Sequence, residues 1–223
     1  MQQAILLLSG GLDSTVAAYL TARDSKIILA LTFDYGQKAA VPELRAAALT
    51  CQRLGCPHKI MRLPWLAEIC HTALVNPASE IPHPTMEALD DRQRTLQTAA
   101  AVWVPNRNGL FLNIAATFAE TLKADIIVTG FNAEEGSTFP DNTLSFVKAA
   151  NQFFSHSTLT TPQVISPTLP MNKVEIVRKA CTLGITWEQI WPCYIDEGRW
   201  CGVCESCCRA KRAFQKVGEP WPC

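Results

Sequence analysis

The sequence predicts an α/β fold: a doubly wound, mostly parallel sheet with a zinc-binding helical appendage at its C-terminal end. Three observations predict it. Short apolar runs alternate with helical patterns over residues 4–129. The first run passes directly into a glycine turn and a helix start. The last forty residues, 184–223, hold four of the six tryptophans and six of the ten cysteines, which marks a change of character. Alternating strands and helices imply parallel βαβ units. Ligands in such sheets bind beyond the carboxyl ends of the strands.

Residues 4–8, Ala4-Ile5-Leu6-Leu7-Leu8, form the first buried strand. Ser9-Gly10-Gly11-Leu12-Asp13-Ser14-Thr15 follow. Two glycines let the backbone turn with its N–H groups exposed. The first turn of the helix at 14–24 then offers unpaired N–H donors and the positive end of its dipole. Ser9, Ser14 and Thr15 add hydroxyls. With the backbone of Leu8 and Leu12, this is a phosphate site made of neutral donors. A Walker loop carries a lysine that reaches the β- and γ-phosphates. No lysine precedes Lys26, which argues against γ-phosphoryl transfer.

Further strands fall at 27–33, 58–63 and 125–129, with helices at 41–54 and 110–123. Pro42 sits where a helix's first turn tolerates it. Asp34-Tyr35-Gly36-Gln37 and Gly130-Phe131-Asn132 end two of these strands, so three loops point to one crevice. Residues 71–108 show no clean period and are punctuated by Pro77, Pro82, Pro84 and Pro105; they read as a lid or binding loop. Helical patterns resume near 143–155 and 172–183, and Pro162, Pro167 and Pro170 mark a loop between them. The expected division is a phosphate-loop domain at 1–185 and a metal-binding segment at 186–223.

At 48% hydrophobic and 18% charged, 223 residues bury a large core. A formal net charge of zero argues against holding long nucleic acid. Arg209, Lys211, Arg212 and Lys216 read as a solvated helix face. The N-terminal apolar run is too short for a leader, and no run approaches the ~20 residues that span a bilayer. A soluble, cytoplasmic protein is expected. In that compartment ten cysteines are not a disulfide framework.

Cys193 is followed by Cys201-Gly202-Val203-Cys204-Glu205-Ser206-Cys207-Cys208. Two-residue gaps let backbone N–H groups and thiolates converge on one ion. Cys193, Cys201, Cys204 and Cys207 suit tetrahedral structural zinc, whose binding would supply folding energy to a segment poor in apolar residues. Cys208 points elsewhere at the start of a helix. The rival is an iron–sulfur cluster, since C-x-x-C-x-x-C also begins a ferredoxin-type run. Cys51, Cys56, Cys70, Cys181 and Cys223 read as core or surface thiols. His58, His71, His83 and His156 show no pairing that suggests catalysis.

The loop at 9–15 resembles the PP-loop of the N-type ATP pyrophosphatases, the adenine nucleotide alpha hydrolase-like group. Further stretches narrow the resemblance: Tyr35-Gly36-Gln37-Lys38 with Glu43, Val104-Pro105-Asn106-Arg107-Asn108, Gly130-Phe131-Asn132-Ala133-Glu134, Phe139-Pro140-Asp141, Ser166-Pro167-Thr168 before Lys173, and the cysteine pattern. Together these resemble the 7-cyano-7-deazaguanine synthase family, nitrile-forming enzymes of queuosine biosynthesis, over residues 5 to 214. The resemblance implies ATP, ammonia and 7-carboxy-7-deazaguanine as reactants, Mg2+ with the ATP, and α-phosphorus chemistry used twice.

On that reading Leu8 to Thr15 bind ATP. Asp13 either orients the loop, holds Mg2+ through water, or caps its helix. Lys173 neutralises charge on the transferring phosphate. Arg107 and Asn108 hold substrate or phosphates, Glu43 lies near the site or caps its helix, and Asp141 reads a guanine-like N–H pair. Phe131 or Phe139 stacks on the heterocycle, with Phe139 the choice. Many family members carry Ser-Gly-Tyr-Pro-Asp-Cys where this chain has Gly136-Ser137-Thr138-Phe139-Pro140-Asp141-Asn142. The alternatives are a branch that stops at the amide or serves another acceptor, and a tRNA thiolase with a cysteine-held metal or cluster. Free ammonia is the expected nitrogen supply, no stable nucleic-acid binding is expected, and exposed tryptophans near the terminus leave a homodimer open.

Overall fold

The computed structural model describes residues 1–222. Cys223, read from sequence as a core or surface thiol, lies outside them. Five strands pair in parallel in the order β3-β2-β1-β4-β5. They are β1 (Gln2–Leu7), β2 (Ser25–Asp34), β3 (His58–Arg62), β4 (Ile126–Val128) and β5 (Gln163–Ile165). Strand order reverses between β1 and β4, which is where open α/β sheets part to form a crevice.

Apolar packing covers both faces of the sheet. Ile5 packs in one cluster with Leu31, Phe33 and Ile127, while Ala4 and Leu6 pack in another with Ala30, Ile126 and Val128. Burial on both faces explains why the strands read as continuous apolar runs rather than alternating ones. The helices are α1 (Leu12–Asp24), α2 (Ala40–Leu54), α3 (Trp65–Ile69), α4 (Arg92–Val102), α5 (Arg107–Leu122), α6 (Ala133–Gly136), α7 (Leu144–Ser157), α8 (Lys173–Thr182) and α9 (Glu205–Val217). The expected strands and helices are present, with ends moved by a few residues.

Three expectations are corrected. The segment at 71–108, expected as a lid or binding loop, is more ordered than a loop: it holds a 3-10 turn at Glu87–Asp90 and helix α4, and Val102, Trp103 and Val104 from it line the cleft described below. Helix α4 is polar and half exposed, so it carries no apolar period, yet its start is capped. Asp91 Oδ1 accepts from the Gln93 and Arg94 N–H groups at 2.9 and 3.2 Å. The loop expected between Pro162 and Pro170 contains β5, three residues long and visible only through its pairing with β4.

The third correction concerns the C-terminal segment. Its tryptophans are not exposed: Trp200 is buried, and Trp187, Trp191 and Trp221 are half-buried. Phe214 gathers Trp187, Trp200 and Trp221 at ring-centroid distances of 4.6, 6.2 and 5.7 Å. The basic stretch is likewise not simply a solvated face, because Arg209 is buried and ion-paired. Cys193, Cys204, Cys207 and Phe214 share the apolar cluster of Ile5 and Ile127. No helix among the described residues is long and apolar enough to cross a membrane.

Candidate active site

Two close approaches shape the loop between β1 and α1. Gly10 has φ of +81°, and a Cβ there would meet the Glu43 carbonyl oxygen at 2.3 Å. A Cβ on Gly130, just past β4, would meet the Ser14 backbone nitrogen at 2.5 Å. Glycine is therefore required where β4 and α2 press on the loop. The loop's own hydroxyls brace it: Ser9 Oγ lies 2.9 Å from Ser14 Oγ and accepts from the Gly11 N–H at 3.2 Å. The C-terminal segment braces it from outside, with the Trp191 N–H donating to the Gly10 carbonyl at 2.7 Å. Gly11 is the N-cap of α1 and makes no side-chain cap, so Asp13 is not a cap residue. Intrahelical bonding resumes with the Thr15 N–H, which donates to the Gly11 carbonyl. The N–H groups of the first turn before it have no intrahelical acceptor, which leaves them available to an anion.

Beyond the loop lies a cleft of about 260 Å³ at the carboxyl ends of β1, β2 and β4. Ser9, Gly11, Leu12, Asp13 and Ser14 line it, as do Arg107, Asn108, Phe139, Asp141 and Lys173. Leu8 also lines it, whereas Gly10 and Thr15 support the loop from behind. The loops that sequence reading aimed at one crevice do meet there.

Lys173, at the first position of α8, is 5% exposed, and its Nζ donates to Asp13 Oδ2 at 2.6 Å and to Glu135 Oε1 at 3.0 Å. Burial opposes the ammonium, but Asp13 and Glu135 hold its pKa above the ordinary lysine value. Burial pushes Asp13 up to about 6 despite the pull of Lys173. Burial works against the Glu135 carboxylate, but the charge and hydrogen bond of Lys173, with Asn132 and Arg209, together hold its pKa below the ordinary value. Asp13 Oδ1 is buried with no hydrogen-bond partner among the described residues.

Arg107 also lines the cleft; it opens α5 and donates from Nη1 to the Tyr35 hydroxyl at 2.9 Å. Burial works against its charge, yet Tyr35, Asp141 and Glu43 keep its pKa above the usual arginine value. Glu43 accepts from Gln37 Nε2 at 2.8 Å, and burial raises its carboxyl to about 7. Asn108 Nδ2 donates to the Asp141 carbonyl at 3.4 Å, and Asp141 Oδ1 accepts from Asn142 Nδ2 at 3.1 Å. Burial also raises Asp141 above the usual carboxylate range. The Phe139 ring lies nearly parallel to Trp103, with 9° between planes and 6.1 Å between centroids.

Cys193, Cys201, Cys204 and Cys207 bring their sulfurs within 4.8 Å of one another, as a single metal ion requires. Cys201 and Cys207 Sγ are 3.9 Å apart. Four thiolates at Zn–S of about 2.3 Å sit about 3.8 Å apart on the edges of a tetrahedron. The Cys201 and Cys204 N–H groups point at the Cys193 and Cys201 sulfurs. The Cys204 and Cys207 thiols, with the Cys201 N–H, hold Cys193 well below the ordinary thiol pKa. Cys208 is outside this group and faces the Val203 carbonyl.

The family model described as queuosine biosynthesis protein QueC matches residues 3–218. This chain belongs to the QueC family. Among QueC relatives, it is 49% identical to the 7-cyano-7-deazaguanine synthase of Desulforamulus reducens over 215 residues, covering 96% of this chain and 94% of the relative. It is 45% identical to the 7-cyano-7-deazaguanine synthase of Methanosarcina mazei, over 97% of this chain and 95% of the relative. Solved structures give the fold alone. A 4-thiouridine synthetase bound to RNA and ATP matches with a TM-score of 0.52 at 22% identity, over 97% of this chain and 50% of that one. A U34-tRNA thiolase from Methanococcus maripaludis with its [4Fe-4S] cluster matches with a TM-score of 0.51 at 15% identity, over 97% of this chain and 65% of that one. The adenine nucleotide alpha hydrolase-like expectation therefore holds, and the relatives favour the QueC reading over the thiolase one.

Sequence reading did not single out Trp103, Glu135, Tyr194 or Glu205 as residues of the cleft. Trp103 follows the polar helix α4. Glu135 follows Asn132, whose side chain caps α6. Glu205 sits inside the cysteine cluster, where the thiols drew the attention.

Proposed function

We propose that this QueC-family chain converts 7-carboxy-7-deazaguanine and ammonia to 7-cyano-7-deazaguanine at the expense of two ATP. The observation that carries the reading is a lysine-free phosphate loop opening onto the same cleft as Arg107 and Lys173, in a chain 49% identical to a named synthase. A carboxylate oxygen is a poor leaving group. Attack of that oxygen on the α-phosphorus of ATP expels pyrophosphate and leaves an acyl adenylate. Ammonia adds to the acyl carbon, loses a proton and displaces AMP, giving the amide. The amide oxygen then attacks a second α-phosphorus, expelling pyrophosphate, and the amide nitrogen gives up one of its two protons. Loss of AMP with the remaining N–H proton leaves the C≡N bond.

The residues divide this work. The N–H groups and hydroxyls of residues 9–15 receive pyrophosphate. Lys173, kept protonated by two carboxylates, lies beside the loop to neutralise charge on the transferring phosphate. Arg107 supplies a second fixed positive charge in the same cleft. Asp13, through its unpartnered oxygen, fits a magnesium ion or its water, and that ion would add charge neutralisation at the phosphates. Asn108, Phe139 and Asp141 would hold the heterocycle, Phe139 by stacking and Asp141 by accepting a ring N–H. Zinc at Cys193, Cys201, Cys204 and Cys207 would fix the segment that braces Gly10 through Trp191. The thiol set and its single-ion spacing favour zinc over a cluster.

ATP, ammonium and the acid should release AMP and pyrophosphate together. Omission of the acid should stop the release. Equal release without the acid would contradict the proposed substrate.

A further inference from the structure

Glu205 stands one residue past Cys204 on α9, 4% exposed, on the wall of the cleft. Its two oxygens differ. Oε1 accepts from Arg209 Nε at 3.0 Å and Nη2 at 2.8 Å. Oε2 is buried and has no hydrogen-bond partner among the described residues. Arg209 cannot supply one readily, since its Nη1 is spent on Glu134 at 2.7 Å. A buried carboxylate oxygen without a donor is costly, and it is satisfied when a ligand brings the donor.

The chemistry of the cleft limits which ligand that is. ATP phosphates are acceptors and are repelled by a carboxylate. The 7-carboxy-7-deazaguanine ring presents N1–H and a 2-amino group on one edge, both donors. Asp141, the other candidate acceptor, already accepts from Asn142 with one oxygen and faces Arg107. We infer that Glu205 is a specificity-determining residue of this cleft: its Oε2 accepts from the 2-amino group of the deazaguanine acid. The inference rests on the proposed substrate. It makes α9, which follows Cys204 at its N-cap and carries Cys207, a wall of the substrate site as well as part of the metal knot.

The test compares kcat/KM for the acid with kcat/KM for the analogue lacking the 2-amino group, in wild type, Glu205→Gln and Asp141→Asn. The ratio is independent of the fraction of each preparation that is folded. Wild type should favour the acid by about 10- to 100-fold. Glu205→Gln should bring that ratio close to one while leaving the ATP KM unchanged. If the Gln variant does not fold, Glu205→Asp keeps the charge facing Arg209 and draws the acceptor back by one carbon; it should lower the ratio in the same direction. A ratio that survives in the Glu205 variants, or that collapses only in Asp141→Asn, overturns the inference. Turnover of neither compound by wild type overturns the substrate reading itself, and the inference with it.

Discussion

Lys173 Nζ stands 2.6 Å from Asp13 Oδ2, across 160 residues of chain, and joins the first turn of α1 to the start of α8. The pair is buried, and Glu135 is its third member. Lys173→Met removes the cation and leaves two carboxylates facing each other. Turnover should fall by about 100-fold or more. Stability should fall by about 3 kcal/mol, the cost of stranding a buried charge. Steady-state kinetics and a urea melt of the same preparation check both.

Gly130→Ala places a methyl group into the backbone of Ser14, at a separation of 2.5 Å from its nitrogen. The start of α1 must move away from β4. The ATP KM should rise by about 10-fold or more, with a loss of stability of about 1–3 kcal/mol from overpacking. An unchanged ATP KM would mean that the loop's position relative to β4 does not matter to nucleotide binding.

Glu43 is raised to about 7 by burial, against an ordinary value of 4.5. The folded state thus holds its proton more tightly than the unfolded chain does. Its contribution to stability is full below pH 4.5 and is lost as pH rises to 7, flat thereafter. Glu43→Gln keeps the acceptor for Gln37 and removes the titration. The variant should gain on wild type by about 2 kcal/mol between about pH 5 and pH 8. Melting curves across that range should converge at low pH and separate at high pH.

Cys204→Ser and Cys208→Ser should separate cleanly. Cys204 belongs to the four-sulfur group and Cys208 does not. The first should lose bound metal and expose residues 186–223 to proteolysis, because metal binding supplies folding energy there. The second should retain metal. Zinc found by elemental analysis in a colourless protein supports the single-ion reading, and iron in a brown one contradicts it.

The glycine turn between β1 and α1, four of the five strands and the four-cysteine group were legible because each is local. The loop needs contiguous glycines and hydroxyls, the strands contiguous apolar residues, and the cysteines a short spacing. Strand β5 was not legible because three residues between prolines carry no pattern; only β4 makes them a strand. Helix α4 was not legible as a periodic stripe because little of it is buried, although Asp91 as its cap was a readable signal. Lys173 could be proposed from sequence, but its partners could not. Asp13 and Glu135 lie 160 and 38 residues away and meet it only through the sheet. Trp103 and Glu205 reach the cleft in the same way.

The most direct measurement is mass identification of the product formed from 7-carboxy-7-deazaguanine, ammonium and Mg·ATP. The nitrile is the expected product, with the amide appearing only in passing. An amide that accumulates would mean an arrested branch, consistent with the changes at Phe139 and Asn142, and acid recovered unchanged would contradict the proposed function outright.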